Sequence, residues 1–164
     1  MRSPFYFIVE PLEGKRYNNS KDISGVDFIT SSSQENHMAS NREAVVISTP
    51  LNYKGPVTKG DTLLVHHNVF KFYYDMKGRE KSGKSYFKDN LFFVDNEQFF
   101  LYKQNDQWFS HYKYCFVEPI PAEESFLMKN FDEEPLMGRM KYPNAYLESK
   151  GVRKGMKVGF KPES

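Results

Sequence analysis

A single cysteine, Cys115, is all the thiol chemistry the chain carries, and this excludes an intramolecular disulfide. Its setting, Tyr114-Cys115-Phe116-Val117, is apolar and reads as that of a small buried hydrophobe in a reducing compartment. Long apolar runs are missing too: nothing approaches the roughly 20 residues of a membrane helix. The opening Met1-Arg2-Ser3-Pro4-Phe5 has no secretory h-region, so the expected setting is the cytoplasm, or the host cytoplasm if the chain is viral. An excess of one charge is also absent. Twenty-three Lys and Arg against 21 Asp and Glu leave a net charge of +2, far from the concentrated basic face that nucleic acid usually calls for.

The signatures of catalysis are equally thin. Four histidines (His37, His66, His67, His111) show no metal-ligand spacing, and neighbours such as His66 and His67 would point to opposite faces of a strand. There is no nucleophile elbow, and neither a serine–histidine pair nor paired carboxylates can be argued from spacing. The expectation is a protein that is not an enzyme, with no cofactor and no metal.

Aromatic residues are what the chain has in abundance. Fifteen Phe and 11 Tyr among 164 residues, gathered between Val69 and Tyr114, favour pleated surfaces. Phe5-Tyr6-Phe7-Ile8-Val9 closed by Pro11, Ala44-Val45-Val46-Ile47, Thr62-Leu63-Leu64-Val65, Phe99-Phe100-Leu101-Tyr102 and Tyr114-Cys115-Phe116-Val117 read as strands separated by turn signals. Residues 70–74 and 86–94 read as one long hairpin around the polar tip Lys77-Gly78-Arg79-Glu80-Lys81-Ser82-Gly83-Lys84. The fold class is all-β, a barrel or sandwich of short strands.

Two stretches break this pattern. Residues 14–41 are polar and read as a long structureless, mobile loop, interrupted by one apolar island, Gly25-Val26-Asp27-Phe28-Ile29. After Pro121, residues 122–128 read as a short helical turn and Asp132-Glu133-Glu134-Pro135 as an acidic linker. The tail then echoes earlier sequence: at an ungapped offset of 95, residues 43–65 fall on 138–160 and Lys59-Gly60 on Lys154-Gly155, as in a second copy of one supersecondary unit. The domain reading is therefore 1–121 as a barrel and 122–164 as linker and extension.

Gly78-Arg79-Glu80-Lys81-Ser82-Gly83-Lys84-Ser85 satisfies the phosphate-cradling pattern letter for letter. That chemistry needs the loop to open a helix, and the few residues before Leu91 leave no room for one, so the motif is read as a decoy on a hairpin tip. Aromatics interleaved with lysines, Phe70-Lys71-Phe72-Tyr73-Tyr74, read as an alternating strand with aromatics inside and lysines outside.

The order of these features resembles the GroES co-chaperonin family. The carriers are Phe7-Ile8-Val9-Glu10-Pro11-Leu12, the loop with Gly25 to Ile29, and Arg42-Glu43-Ala44-Val45-Val46-Ile47-Ser48. They continue with Val57-Thr58-Lys59-Gly60-Asp61-Thr62-Leu63-Leu64-Val65, a hairpin, and Cys115-Phe116-Val117-Glu118-Pro119. The resemblance implies a GroES-like irregular β-barrel over residues 5–120 that assembles into a homo-heptamer and caps a GroEL-type chaperonin. It implies a mobile loop whose apolar tripeptide docks on the chaperonin, a role that falls here on Gly25, Val26, Phe28 and Ile29. Ser24 stands where the family has a second glycine, and Asp27 interrupts the apolar run. Two rivals use the same barrel: a viral structural or assembly protein, suggested by the tail's half-repeat, and a single-stranded nucleic-acid binder using Tyr73, Tyr74 and Trp108.

Overall fold

Alternation of side chains decides where the strands run. A computed structural model of the chain describes residues 2–17, 20–23, 26–29, 40–121 and 133–161, with the backbone alone for 20–23 and 26–29. It divides into two units, Met1–Gln107 and Trp108–Ser164. In the first, β1 is Phe7–Pro11, β2 Ser20–Ile23, β3 Val26–Ile29, β4 Glu43–Ser48, β5 Thr62–Val65 and β6 Phe72–Tyr74. Then follow β7 Glu80–Ser82, β8 Tyr86–Lys88, β9 Leu91–Val94 and β10 Phe99–Gln104. Strand β11, Gln107–Ser110, is where the division falls.

These strands build a seven-stranded sheet in the order β11-β10-β5-β4-β1-β9-β8, and each ladder from β10 to β8 is antiparallel. Ala44 and Val46 on β4, Leu63 and Val65 on β5, and Phe92 and Val94 on β9 are buried, while their neighbours along each strand are only partly so. Strand β1, central in the sheet, buries Phe7, Ile8 and Val9 in succession.

The sheet is curled, not flat. Strands β10 and β1 are three places apart, about 14 Å in a flat sheet, yet the Phe7 and Phe99 rings meet edge to face at 5.3 Å between centroids. The link from β9 to β10 tells the same story. These strands lie four places apart, about 19 Å in a flat sheet, but a tight turn closed by Gln98 N–H donating to the Asp95 carbonyl (3.2 Å) joins them. The core sits inside this trough: Phe7, Val9, Val46, Leu63, Val65, Phe92, Val94 and Phe99, with Val57, Val69 and Phe70 from the loops. Among the described residues no ladder joins the outermost strands β11 and β8, so no hydrogen-bonded closure into a barrel is seen.

Tyr53 and Tyr102 pack on the core from its rim. Burial is the chief reason both phenols are held above their ordinary pKa; for Tyr53 the bond accepted from Val57 N–H works against this. A raised folded-state pKa means that stability is fully present below the unfolded value, about 10 for tyrosine, and is lost as pH rises through the folded value. Urea unfolding between pH 8 and 11 should therefore show stability falling from about pH 10. The double substitution Tyr53→Phe/Tyr102→Phe should lessen that fall.

The second unit is smaller. Strand β12 is Phe116–Pro121, β13 Glu133–Tyr142, helix α1 Ala145–Ser149 and β14 Lys157–Gly159, with sheet order β12-β13-β14. Helix α1 was not expected, although its ends are spelled out locally. The Asn144 side chain accepts from Leu147 N–H (2.9 Å) as N-cap. Gly151, at φ 86°, closes the other end, with its own N–H donating to Glu148 and that of Val152 to Leu147.

The tail's echo of the first unit is real in backbone geometry and longer than the sequence suggested. Pairs Glu43–Leu64, Ala44–Leu63 and Val45–Thr62 in the first unit match Met137–Gly159, Gly138–Val158 and Arg139–Lys157 in the second. The ladder on the other side matches as well. Ile8–Ser48, Val9–Val46, Glu10–Val45 and Pro11–Ala44 correspond to Phe116–Tyr142, Val117–Met140, Glu118–Arg139 and Pro119–Gly138. The same irregularity falls after Ile8 and after Phe116. Even the turns agree: Gly60 N–H donates to Val46 at 2.8 Å, Gly155 N–H to Met140 at 2.7 Å, with φ 93° and 87° at the two glycines.

So β1-β4-β5 and β12-β13-β14 are one three-stranded pattern built twice. The ungapped offset of 95 holds for the turn and last strand, whereas the middle strand is displaced by 94 and the first by 108. The connection from first to middle strand is thus 14 residues longer in the first copy, and that is where residues 14–41 lie.

Three further expectations are corrected. Residues 70–94 form two successive hairpins, β6–β7 and β8–β9, because the chain turns at Gly78 (φ 70°) and again at Asp89 (φ 51°). Cys115 is exposed, since it lies just outside β12 and no strand covers it among the described residues. The stretch 14–41 is not structureless: β2 and β3 pair in an antiparallel two-stranded ladder of their own. The helical turn expected at 122–128 lies outside the described residues.

Candidate functional site

The two chain ends that flank residues 18–39, called the arm from here on, are locked to each other. Tyr17 and Ser40 face each other in an isolated antiparallel bridge, and Asn41 N–H donates to the Arg16 carbonyl at 2.9 Å. The buried Asn41 side chain donates to the carbonyls of Leu12 (3.1 Å) and Lys15 (2.9 Å) and accepts from Glu43 N–H (2.9 Å). One side chain therefore holds together the two ends between which the arm is strung. Asparagine suits this post because its amide offers donors and acceptors at once.

Arg16 fastens the same base to the β6–β7 hairpin. Its guanidinium donates to the carbonyls of Phe70 (2.9 Å) and Lys71 (3.2 Å) and to Ser82 Oγ (3.3 Å). It also stands over the rings of Phe72 and Phe92, at 5.0 and 5.2 Å from their centroids. Burial pulls its pKa below the ordinary arginine value, with Glu80, 3.9 Å away, opposing this. The Tyr17 hydroxyl accepts from Phe72 N–H (3.3 Å), and its ring meets Phe72 edge to face at 4.9 Å.

Arg16→Met keeps most of the stem but leaves two carbonyls with lost donors. The expected destabilisation is about 1–3 kcal/mol, measured by denaturant unfolding.

Of the residues assigned to the docking role, Val26, Phe28 and Ile29 all fall on β3, backbone-paired with Ile23, Lys21 and Ser20 of β2. Gly25 lies outside the described residues. The structure thus gathers three of the four onto one strand of the arm's own ladder.

The phosphate-cradle motif ends in strands. Glu80–Ser82 is β7, and Ser85 leads directly into β8, so no helix presents its first amides to a phosphate. Gly83, Lys84 and Ser85 line a cavity of about 330 Å³ with Asn68, Lys71 and Tyr73. Gly83 is there because its backbone donates to the Lys71 carbonyl (3.2 Å) and a Cβ would sit only 3.2 Å from that oxygen.

His66 and His67 lie just past the end of β5, and their rings stack at 4.1 Å instead of pointing apart as strand neighbours would. Among the described residues, no three His, Cys, Asp or Glu side chains come together in a way that could hold a metal ion. Tyr73 and Tyr74 are exposed on β6, next to a buried Phe72, and Trp108 is half-buried on β11. No helix among the described residues is long and apolar enough to cross a membrane.

Sequence reasoning placed the arm by its composition but missed Arg16 and Asn41, which fix it. Their signal was faint: single polar residues beside strand ends, with partners up to 66 positions away. Comparison of the chain with protein-family models, with curated proteins and with solved structures finds no match.

Proposed function

We propose that this chain is a non-enzymatic co-chaperonin: a cap that docks on a GroEL-type chaperonin ring through the arm 18–39. Val26, Phe28 and Ile29 are its contacts, together with Gly25. The observation that supports this most is the locked base. Asn41 and Arg16 tie both ends of a long polar insertion to the core, which suits a tether that must carry load while its tip engages another protein.

The energetics fit such a role. Burying each apolar side chain of the tip contributes about 1.5–3 kcal/mol, reduced by the entropy of ordering the segment that carries it. One arm then binds weakly. Seven arms on a ring, the assembly that the resemblance implies, convert weak contacts into a firm but reversible cap through effective concentration. The arm also occupies the connection in which the first three-stranded unit is longer than its copy by 14 residues.

The test mixes the chain with a GroEL-type chaperonin and nucleotide. Native mass spectrometry should show seven copies on one ring, with altered ATPase activity and recovery of a chaperonin-dependent substrate. Unchanged mass, ATPase and refolding would overturn the proposal.

A further inference from the structure

The twice-built three-stranded pattern exposes what the second unit lacks. In the first unit, the outer edge of β1 is taken by β9, with Phe7 opposite Val94 and Val9 opposite Phe92. The outer edge of β5 is taken by β10, with Val65 opposite Phe99 and Leu63 opposite Tyr102. Strands β9 and β10 are joined by the short Asp95-to-Gln98 turn, so they act as one clasp that grips both edges and pushes Phe92, Val94, Phe99 and Leu101 into the trough.

The second unit keeps the surface this clasp would cover. By register, Val9 corresponds to Val117, Val46 to Met140, Leu63 to Val158 and Val65 to Phe160. Every one of these positions stays apolar. In the first unit all four are buried. In the second, Met140 is buried, Val117 and Val158 are half-exposed, and Phe160 is 41% exposed. Among the described residues the outer edges of β12 and β14 carry no strand. An apolar trough with two open edges is a surface that soluble proteins normally cover.

We propose that this face is an acceptor site for two apolar β-strands joined by a short turn and supplied by a partner protein, which adds to β12 and β14 as β9 and β10 add to β1 and β5. Main-chain pairing along the two edges supplies the affinity. Alternate aromatic and branched side chains, directed at Val117, Met140, Val158 and Phe160, supply the selectivity. The occupant's chemistry is set by the molecule's own first unit, where the same edges take Leu91-Phe92-Phe93-Val94 and Phe99-Phe100-Leu101-Tyr102. The inference is independent of the chaperonin reading, because it concerns a different unit and a different kind of partner.

The probe is therefore at hand: a synthetic peptide of residues 89–105 of this chain, titrated into the full protein. Binding should saturate, and amides of β12 and β14 should exchange more slowly with peptide present. Phe160→Asp, at an exposed position whose loss leaves the ladder intact, should weaken binding at least tenfold. Val117→Ala, a milder change, should weaken it less and in the same direction. Absence of saturation, or equal binding by the Phe160→Asp protein, would overturn the proposal. So would free protein in which β12 and β14 exchange as slowly as β1 and β5, since the face would then already be covered. A concentration-dependent dimer that Phe160→Asp dissolves and the peptide leaves untouched would assign the face to a second copy and overturn it likewise.

Discussion

Phe7→Ala is expected to lower the stability of the first unit by about 3–5 kcal/mol, the range for emptying a fully buried aromatic site. Phe7 is 1% exposed, and its ring is gripped by Tyr53 at 4.8 Å and Phe99 at 5.3 Å, both edge to face. It is also the contact by which β1 and β10 meet across the curled sheet, so its loss leaves a cavity at the point where the trough closes. Neighbours on a curled sheet cannot move in without opening the curl, which puts the cost towards the upper end. The matching position in the second unit is Cys115, which is exposed. Cys115→Ala should change stability by no more than about 0.5 kcal/mol. Denaturant unfolding of the two variants compares the same place in the same three-stranded pattern, once beneath a clasp and once where the described residues supply none.

The second large effect is expected at the arm. If the arm is the chaperonin contact, Phe28→Asp should abolish capping, with denaturant unfolding as the control for the fold. The lost burial is at least about 1.5 kcal/mol per arm, and a charge placed in an apolar groove adds a desolvation cost on top. Each 1.4 kcal/mol is a factor of ten, and in a ring of seven linked arms the factors multiply, so a tenfold loss per arm removes the complex altogether. Asn41→Ala should act differently. It cuts three hydrogen bonds at the base, so both stability and capping should fall, and the refolding assay read beside denaturant unfolding separates the two variants.

How much of this was readable in advance follows from the range of the forces involved. Strands β4, β5 and β10 were legible because one face of each is buried, and β1 because its apolar run Phe7-Ile8-Val9 is buried in succession. The split of residues 70–94 into two hairpins was not legible. It depends on Asp89 adopting φ 51° and on Arg16 holding the carbonyls of Phe70 and Lys71, a contact across more than 50 positions. The exposure of Cys115 was not legible either: its local sequence is apolar, but it lies just outside β12 and is exposed. Helix α1 was written in its caps, Asn144 and Gly151, but at five residues it is too short for a periodic signal. The duplication was half visible. Its turn, Lys59-Gly60 against Lys154-Gly155, survives an ungapped comparison, whereas Val9-Glu10-Pro11 against Val117-Glu118-Pro119 is displaced by the arm and only the ladders reveal it.

Two consequences come from one construction. A three-stranded antiparallel unit occurs twice; in the first copy it carries the arm and a clasp, and in the second the described residues place no strand on its outer edges. The proposed chaperonin contact belongs to the first copy and the proposed strand-acceptor site to the second.

Backbone hydrogen exchange, read with and without a chaperonin ring and nucleotide, tests the arm most directly. If the arm is the contact, amides of β3, from Val26 to Ile29, should gain protection in the complex, while those of β4 and β5 stay as they were. A complex that forms with β3 exchanging as it does in the free chain would contradict the assignment of Val26, Phe28 and Ile29, and with it the reading of this protein as a cap.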